Sequence, residues 1–277
     1  MKLYSVLAGY FKLDGGAMFG VVPKTIWNNL NPADEKNLCT WALRCLLVEH
    51  QNRLVLIDCG LGNKQSAKFF SYYEPHGPTL EQSLQQLGLS RGDITDVFIT
   101  HLHFDHCGGA VSVEGDQLKP FFPKATYYIH RRHWAWALQP NAREKASFLK
   151  ENFVPLESSG QLQLLDDGTQ LFEGFSFLTV YGHTEAMMLP VLQVDGKTVV
   201  YMADLVPSAA HVPLPYVMAY DVRPLVTLEE KEKLLNEAVN NSYILFFEHD
   251  PKTEACTVSC AEKGFVIRER FVVADLF

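Results

Sequence analysis

Thr100-His101-Leu102-His103-Phe104-Asp105-His106-Cys107-Gly108-Gly109 sets three imidazoles and a carboxylate within six positions, directly after the apolar run Val97-Phe98-Ile99. An apolar run ending in a tight loop reads as a buried strand whose carboxyl end presents all four side chains to one place. Neutral nitrogen ligands with a carboxylate suit zinc or iron; magnesium and calcium prefer all-oxygen shells. Surface histidines without a ligand role have no reason to fall in H-x-H-x-D-H order.

Two metal ions need roughly three to four protein ligands each, more than one loop supplies. Further downstream, His183 follows the apolar run from Phe175 to Val180. Asp204 follows Val199 and Val200, and His249 follows Ile244 to Phe247. Each repeats the first pattern, a buried strand with a polar residue past its carboxyl end. A lone histidine of this kind is more often a hydrogen-bonded core residue, but three such positions beside H-x-H-x-D-H favour metal. Five imidazoles and two carboxylates gathered without a cation would be costly, at several kcal/mol for each uncompensated buried ion. Structural zinc binds with about 10–16 kcal/mol.

The order H-x-H-x-D-H, G-H-T (Gly182-His183-Thr184), A-D (Ala203-Asp204) and a late histidine resembles the metallo-β-lactamase superfamily. Asp14 to Lys24, Ala203-Asp204-Leu205-Val206-Pro207 with His211, and Ala219-Tyr220-Asp221 resemble one branch of it. That branch holds the quorum-quenching N-acyl-homoserine lactonases and the methyl-parathion-hydrolase-like enzymes. The resemblance implies one hydrolase domain over residues 1–277, of α/β (α+β) class, a four-layer αββα sandwich of two mixed sheets flanked by helices. It implies that His101, His103 and His183 hold one metal, that Asp105, His106 and His249 hold a second, and that Asp204 bridges both. Two divalent ions are implied, zinc first, with iron or manganese as alternatives. Penicillin-destroying members usually carry cysteine at the second metal, so Asp204 argues against that activity. Cys107 reads as a small packing residue. Family members also have an aspartate at the position of Asp58 that supports the metal site; the other reading is a turn aspartate before glycine, and both stay open.

The implied reaction is attack by a metal-bridging hydroxide on a lactone or other carboxylic ester, with Asp105 and Asp204 as catalytic residues. Phosphotriester hydrolysis and glyoxalase-type thioester hydrolysis are the hydrolytic alternatives. Iron-dependent redox chemistry is the alternative of another class. Two positions depart from the family pattern. Met187 stands where a second histidine often follows the G-H-T segment, and Pro207 where some lactonases place a substrate-binding tyrosine. Met18, Phe19 and Trp27 are expected to line an apolar acyl or aryl pocket, with His211 touching substrate.

Bulk properties narrow the partners. The formal net charge of −8 is wrong for nucleic acid, which calls for a basic face. The cluster His130 to His133 is expected only to cap a strand and open a helix at the surface. No run of about 18 apolar residues suggests a membrane span. The six cysteines have no zinc-ribbon spacing, and the start Met1-Lys2-Leu3-Tyr4-Ser5 lacks a secretory pattern. Reduced thiols and a cytoplasmic setting are expected, with a small ester or lactone as partner and a homodimer open as an assembly.

A coarse pass places a hairpin from Leu43 to Asp58, a helix from Thr79 to Leu87 with Thr79 as N-cap, and strands at Ile94–Thr100 and Ala125–His130. Arg131 to Leu149 is expected to be helical in parts, broken at Pro140. The second half reads as strands Leu171–Val180, Leu189–Val194 and Thr198–Met202. A helix is expected from Thr227 to Val239, with Thr227 and Glu230 as a capping box and an apolar stripe from Leu228 to Val239.

Overall fold

A computed structural model describes residues 1–276. Its backbone contacts divide the chain into two units, one of residues 1–10 and 43–169, the other of residues 11–42 and 170 onward. The helices are α1 (Gly15–Phe19), α2 (Lys24–Trp27), α3 (Ala67–Tyr73), α4 (Leu80–Gln86), α5 (Phe104–Cys107), α6 (Arg131–Leu138), α7 (Val154–Ser158) and α8 (Pro224–Asn241).

The first sheet uses β1 (Lys2–Asp14), β2 (Leu38–His50), β3 (Arg53–Ile57), β4 (Asp96–Phe98), β7 (Thr126–His130) and β8 (Leu162–Leu165), in that spatial order. A separate hairpin is formed by β5 (Val111–Glu114) and β6 (Gln117–Pro120). The expected hairpin pairs β2 with β3, His50 facing Arg53 across the turn. β3, β4, β7 and β8 are parallel, which suits the unbroken apolar sequence Val97-Phe98-Ile99. On one face of this sheet, Leu56, Val97, Tyr127 and Ile129 pack with Leu84 of α4, Trp134 of α6 and Leu156 of α7. Each such buried apolar side chain stabilises the fold by about 1.5–3 kcal/mol.

The expected strand Ile94–Thr100 is only Asp96–Phe98. Ile99 still donates to Tyr128 O, but the Thr100 amide and hydroxyl go to the Asp58 carboxylate instead of a ladder partner. A side chain thus ends the strand one residue before His101. α4 starts as expected, with a capping box between Thr79 and Gln82. α6 ends at Leu138, just before Pro140.

The His130 to His133 cluster is only partly at the surface. Arg131 and Arg132 are exposed, whereas His130 and His133 are buried. His130 caps α6 by accepting from the Arg132 amide, and His133 Nε2 accepts from the Leu102 amide inside the ligand loop.

The second sheet runs β14 (Gly264–Phe271), β13 (Ala255–Ala261), β12 (Ile244–Phe246), β11 (Lys197–Tyr201), β10 (Met187–Val194) and β9 (Phe175–Val180). The turn between β10 and β11 is Asp195-Gly196, both at positive φ (49° and 78°), as a type I′ hairpin requires. β10 is antiparallel to both β9 and β11, and β11 is parallel to β12. β9, β11 and β12 therefore run the same way, and His183, Asp204 and His249 all follow their carboxyl ends. Ligand sites on such sheets lie outside these ends. β9 starts at Phe175 rather than Leu171, because a tight turn closes Phe175 N on Phe172 O with Gly174 at φ 87°.

α8 corrects the capping-box reading. It begins at Pro224, whose fixed φ suits the first helical position, so Thr227 lies one turn inside. Glu230 then accepts from Tyr181 N and Gly182 N instead of the amide of its own N-cap. Of the expected stripe, Leu234, Leu235 and Ala238 are buried, together with Lys231, while Leu228 and Val239 are half-buried. Lys231 Nζ donates to three main-chain carbonyls, Pro213, Leu214 and Tyr216. No helix among the described residues is long and apolar enough to cross a membrane. The two large mixed sheets with their helices agree with the class that the motifs imply.

Candidate metal centre

In the first unit, α5 and the turn before it place His101, His103, Asp105 and His106, all buried. The His101 ring lies 3.9 Å from that of His106 and 4.5 Å from that of His103, centroid to centroid. Hydrogen-bond acceptors assign the tautomers. Asp58, fully buried and held at φ 58°, accepts from Thr100 and from His106 Nδ1 at 3.1 Å. Because the Thr100 hydroxyl proton goes to Asp58, its oxygen accepts from His101 Nδ1 at 3.1 Å. His103 turns its Nε2 toward the buried carboxylate of Glu144, 3.7 Å away. Trp136 and Asn141 hold that carboxylate in turn.

His101 and His106 therefore spend their one neutral-state proton outward, which leaves the inner Nε2 of each as a lone pair. His101 Nε2 and His103 Nδ1 face each other at 3.1 Å, and His106 Nε2 faces Asp105 Oδ2 at 3.8 Å. A lone pair aimed at a carboxylate repels it unless a cation lies between them. Asp58 is thus a supporting residue of the ligand loop, which decides the alternative that its sequence left open.

The second unit repeats this arrangement. His183 Nδ1 donates to Asp221 Oδ1 at 2.9 Å, and His249 Nδ1 donates to Ala42 O at 2.8 Å. Their Nε2 atoms face the two different oxygens of Asp204, each at 3.1 Å. Burial opposes charge on His183, but Asp204 and Asp221 outweigh it and raise the imidazole to about 10. That proton occupies the place of a cation. Carboxylate- or carbonyl-bound imidazoles with a free inner nitrogen are the usual supports of bound metal. Taken unit by unit, the buried His and Asp side chains have the donor chemistry that a metal ion needs.

Asp221, part of a branch motif, acts by holding His183. Asp221→Asn is expected to weaken metal binding by roughly 10–100-fold, read by competition with a chelator. Of the two departures, Met187 is buried core in β10, paired with Val180, and the Pro207 carbonyl accepts from His249 N. Cys107 is buried, donates to Leu102 O, and has its thiol pushed by burial up to about 12, so it packs as a neutral group.

The four expected pocket residues come together, but as a closed stack. Phe19 lies flat on Trp27 (5.4 Å) and on His211 (4.7 Å), and all three are buried with Met18. His211 bonds Met18 O through Nε2 and Ser208 Oγ through Nδ1, and burial pushes it down to about 3. Both its nitrogens are engaged by the protein itself. An aromatic group missed in the sequence stands beside the ligand loop instead. Phe69 and Tyr73, one turn apart on α3 and partly exposed, pack on Phe104 at 5.3 and 4.7 Å. The i, i+4 spacing on a short helix was the available signal.

The family model of the metallo-β-lactamase superfamily matches residues 44–249. An N-acyl homoserine lactonase of Bacillus cereus is 23% identical over 275 residues, covering 91% of this chain and 94% of the relative. A probable metal-dependent hydrolase of Staphylococcus aureus superposes with a TM-score of 0.88 at 28% identity, over 98% of each chain. AidC, a dizinc quorum-quenching lactonase solved with a product, superposes with a TM-score of 0.80 at 22% identity, over 98% of this chain and 95% of its own. The family match spans most of the chain and takes in every candidate ligand from His101 to His249, so the chain belongs to the metallo-β-lactamase superfamily.

Proposed function

We propose that this chain is a dinuclear zinc hydrolase of lactones or other carboxylic esters, with N-acyl-homoserine lactones first among its substrates. His101, His103 and His183 would hold one ion, Asp105, His106 and His249 the other, and Asp204 would be shared by both. The observation that carries this reading is Asp204, whose two oxygens each face the Nε2 of a different buried imidazole at 3.1 Å. A buried carboxylate placed between two imidazoles in this way suits one cation per oxygen. The dizinc lactonase among the similar structures supports the same count.

When bound, two divalent cations lower the pKa of a water toward about 7 and polarise the substrate carbonyl oxygen. Asp105, buried at the start of α5 beside His106, orients the attacking water and then carries its proton to the leaving oxygen. Asp58, Asp221 and the Ala42 carbonyl keep the imidazoles from turning. Phe69, Tyr73 and Phe104 offer an apolar surface for an acyl or aryl group. Met18, Phe19, Trp27 and His211 stay packed on one another within the second unit. The net charge of −8 disfavours RNA as substrate, and a cytoplasmic setting belongs to the same reading.

The test is a screen of the zinc-loaded protein against acyl-homoserine lactones, aryl esters and aryl phosphotriesters. Lactone opening, seen as acid release, is expected to be fastest. A strong chelator should reduce it at least about 100-fold, and added zinc should restore it. Faster phosphotriester cleavage would change the substrate class, and oxygen consumption with tightly held iron would refute hydrolysis.

A further inference from the structure

The main chain that carries His183 is bonded to α8 and to the two residues just before it. Where β9 ends, at Val180, ladder bonding stops, and the next polar groups are taken over one by one. Glu230 accepts from Tyr181 N (2.7 Å) and Gly182 N (3.0 Å). Arg223 donates through its guanidinium to Tyr181 O (2.7 Å) and through its own amide to Gly182 O (2.9 Å). Val222 N donates to His183 O (3.2 Å). The second guanidinium nitrogen of Arg223 pairs with Glu185 Oε2 at 2.8 Å, two residues past the ligand.

Buried main-chain groups must be paired, and this loop could meet that need with water or a strand. Instead, one carboxylate accepts from two successive amides, and charge-assisted bonds of this kind are roughly twice as strong as neutral ones. The two amides immediately precede His183, so they set where its Cα lies. Asp221 then sets the ring rotation through Nδ1. Position and rotation together aim Nε2 at Asp204.

We propose that Glu230 is a positioning residue for metal binding, which fixes His183 from α8 without touching metal or substrate. Its effect falls on one ion of the pair, the one His183 holds, while the ion held by Asp105, His106 and His249 is left nearly as it was. This rests on the dinuclear reading above.

The test uses the zinc-loaded full chain, titrated with graded chelator so that release of the two ions is resolved. Glu230→Ala is expected to weaken one zinc by roughly 10–100-fold and to leave the other within about threefold. Glu230→Gln keeps one acceptor oxygen and should give a smaller loss in the same single site. It also decides the matter if the alanine variant does not fold. Glu229→Ala, on the exposed side of α8, should leave both constants unchanged. Two zinc constants equal to wild type in Glu230→Ala or Glu230→Gln would overturn the proposal, as would equal weakening of both sites, which marks general loosening. If the wild-type chain itself holds no second zinc, the dinuclear reading fails first, and this inference with it.

Discussion

Asp204→Ala is expected to abolish hydrolysis and to leave fewer than two metal ions per chain. The substitution removes both oxygens that face His183 and His249. Breaking a buried charged pair costs about 3–5 kcal/mol, and each 1.36 kcal/mol lost from transition-state stabilisation is tenfold in rate. A fall in kcat/KM of roughly 10²–10⁴ follows, with bound zinc measured by metal analysis on the same sample. Serine substitutions should leave the rate within a few fold, because no serine is needed as nucleophile. Full activity in Asp204→Ala with two zinc ions retained would remove the bridging role and with it the proposed centre.

Gly182→Ala is expected to be strongly damaging although it adds a single methyl group. A Cβ there would come within 2.3 Å of Thr227 Oγ1, 2.4 Å of its N and 2.5 Å of its Cα. Two of these atoms are backbone of α8, so a rotamer change cannot relieve the clash. Overpacking of this kind costs typically 1–3 kcal/mol and occasionally more; about 3 kcal/mol is expected here. For a chain of this size that lowers Tm by roughly 6–12 °C. The same displacement moves His183, so zinc affinity should fall together with stability. Gly92→Ala is the control, since the nearest atom to its Cβ would be Ser90 Oγ at an ordinary 3.6 Å. Surface changes like that usually stay within about 0.5 kcal/mol. A Gly182→Ala protein that melts with wild type and binds zinc normally would mean that α8 does not press on this loop.

Much of the architecture was legible because hydrophobic runs and turn residues act locally. Thr79 marked the start of α4, and Pro140 lies just past the end of α6. The errors share one cause. Ile94–Thr100 was read too long because the competing partner of Thr100 is Asp58, 42 positions away. Thr227 and Glu230 had the spacing of a capping box, but Pro224 starts the helix earlier and the carboxylate is drawn to the His183 loop. His133 looked like part of a surface basic cluster, whereas the Leu102 amide, 31 positions away, needs its ring nitrogen. His211 and Phe19 looked like pocket residues, and they stack on each other instead.

The amino-acid order alone determined which atoms can bind metal. Imidazole and carboxylate at His101, His103, Asp105, His106, His183, Asp204 and His249 are a chemical statement that needs no coordinates. Only the tertiary structure decided which nitrogen of each ring faces inward. That choice belongs to acceptors remote in the chain: Asp221 lies 38 positions from His183, and Ala42 lies 207 positions from His249. A histidine carries two nitrogens and, when neutral, one proton, and the fold settles where that proton goes by supplying the partner that takes it.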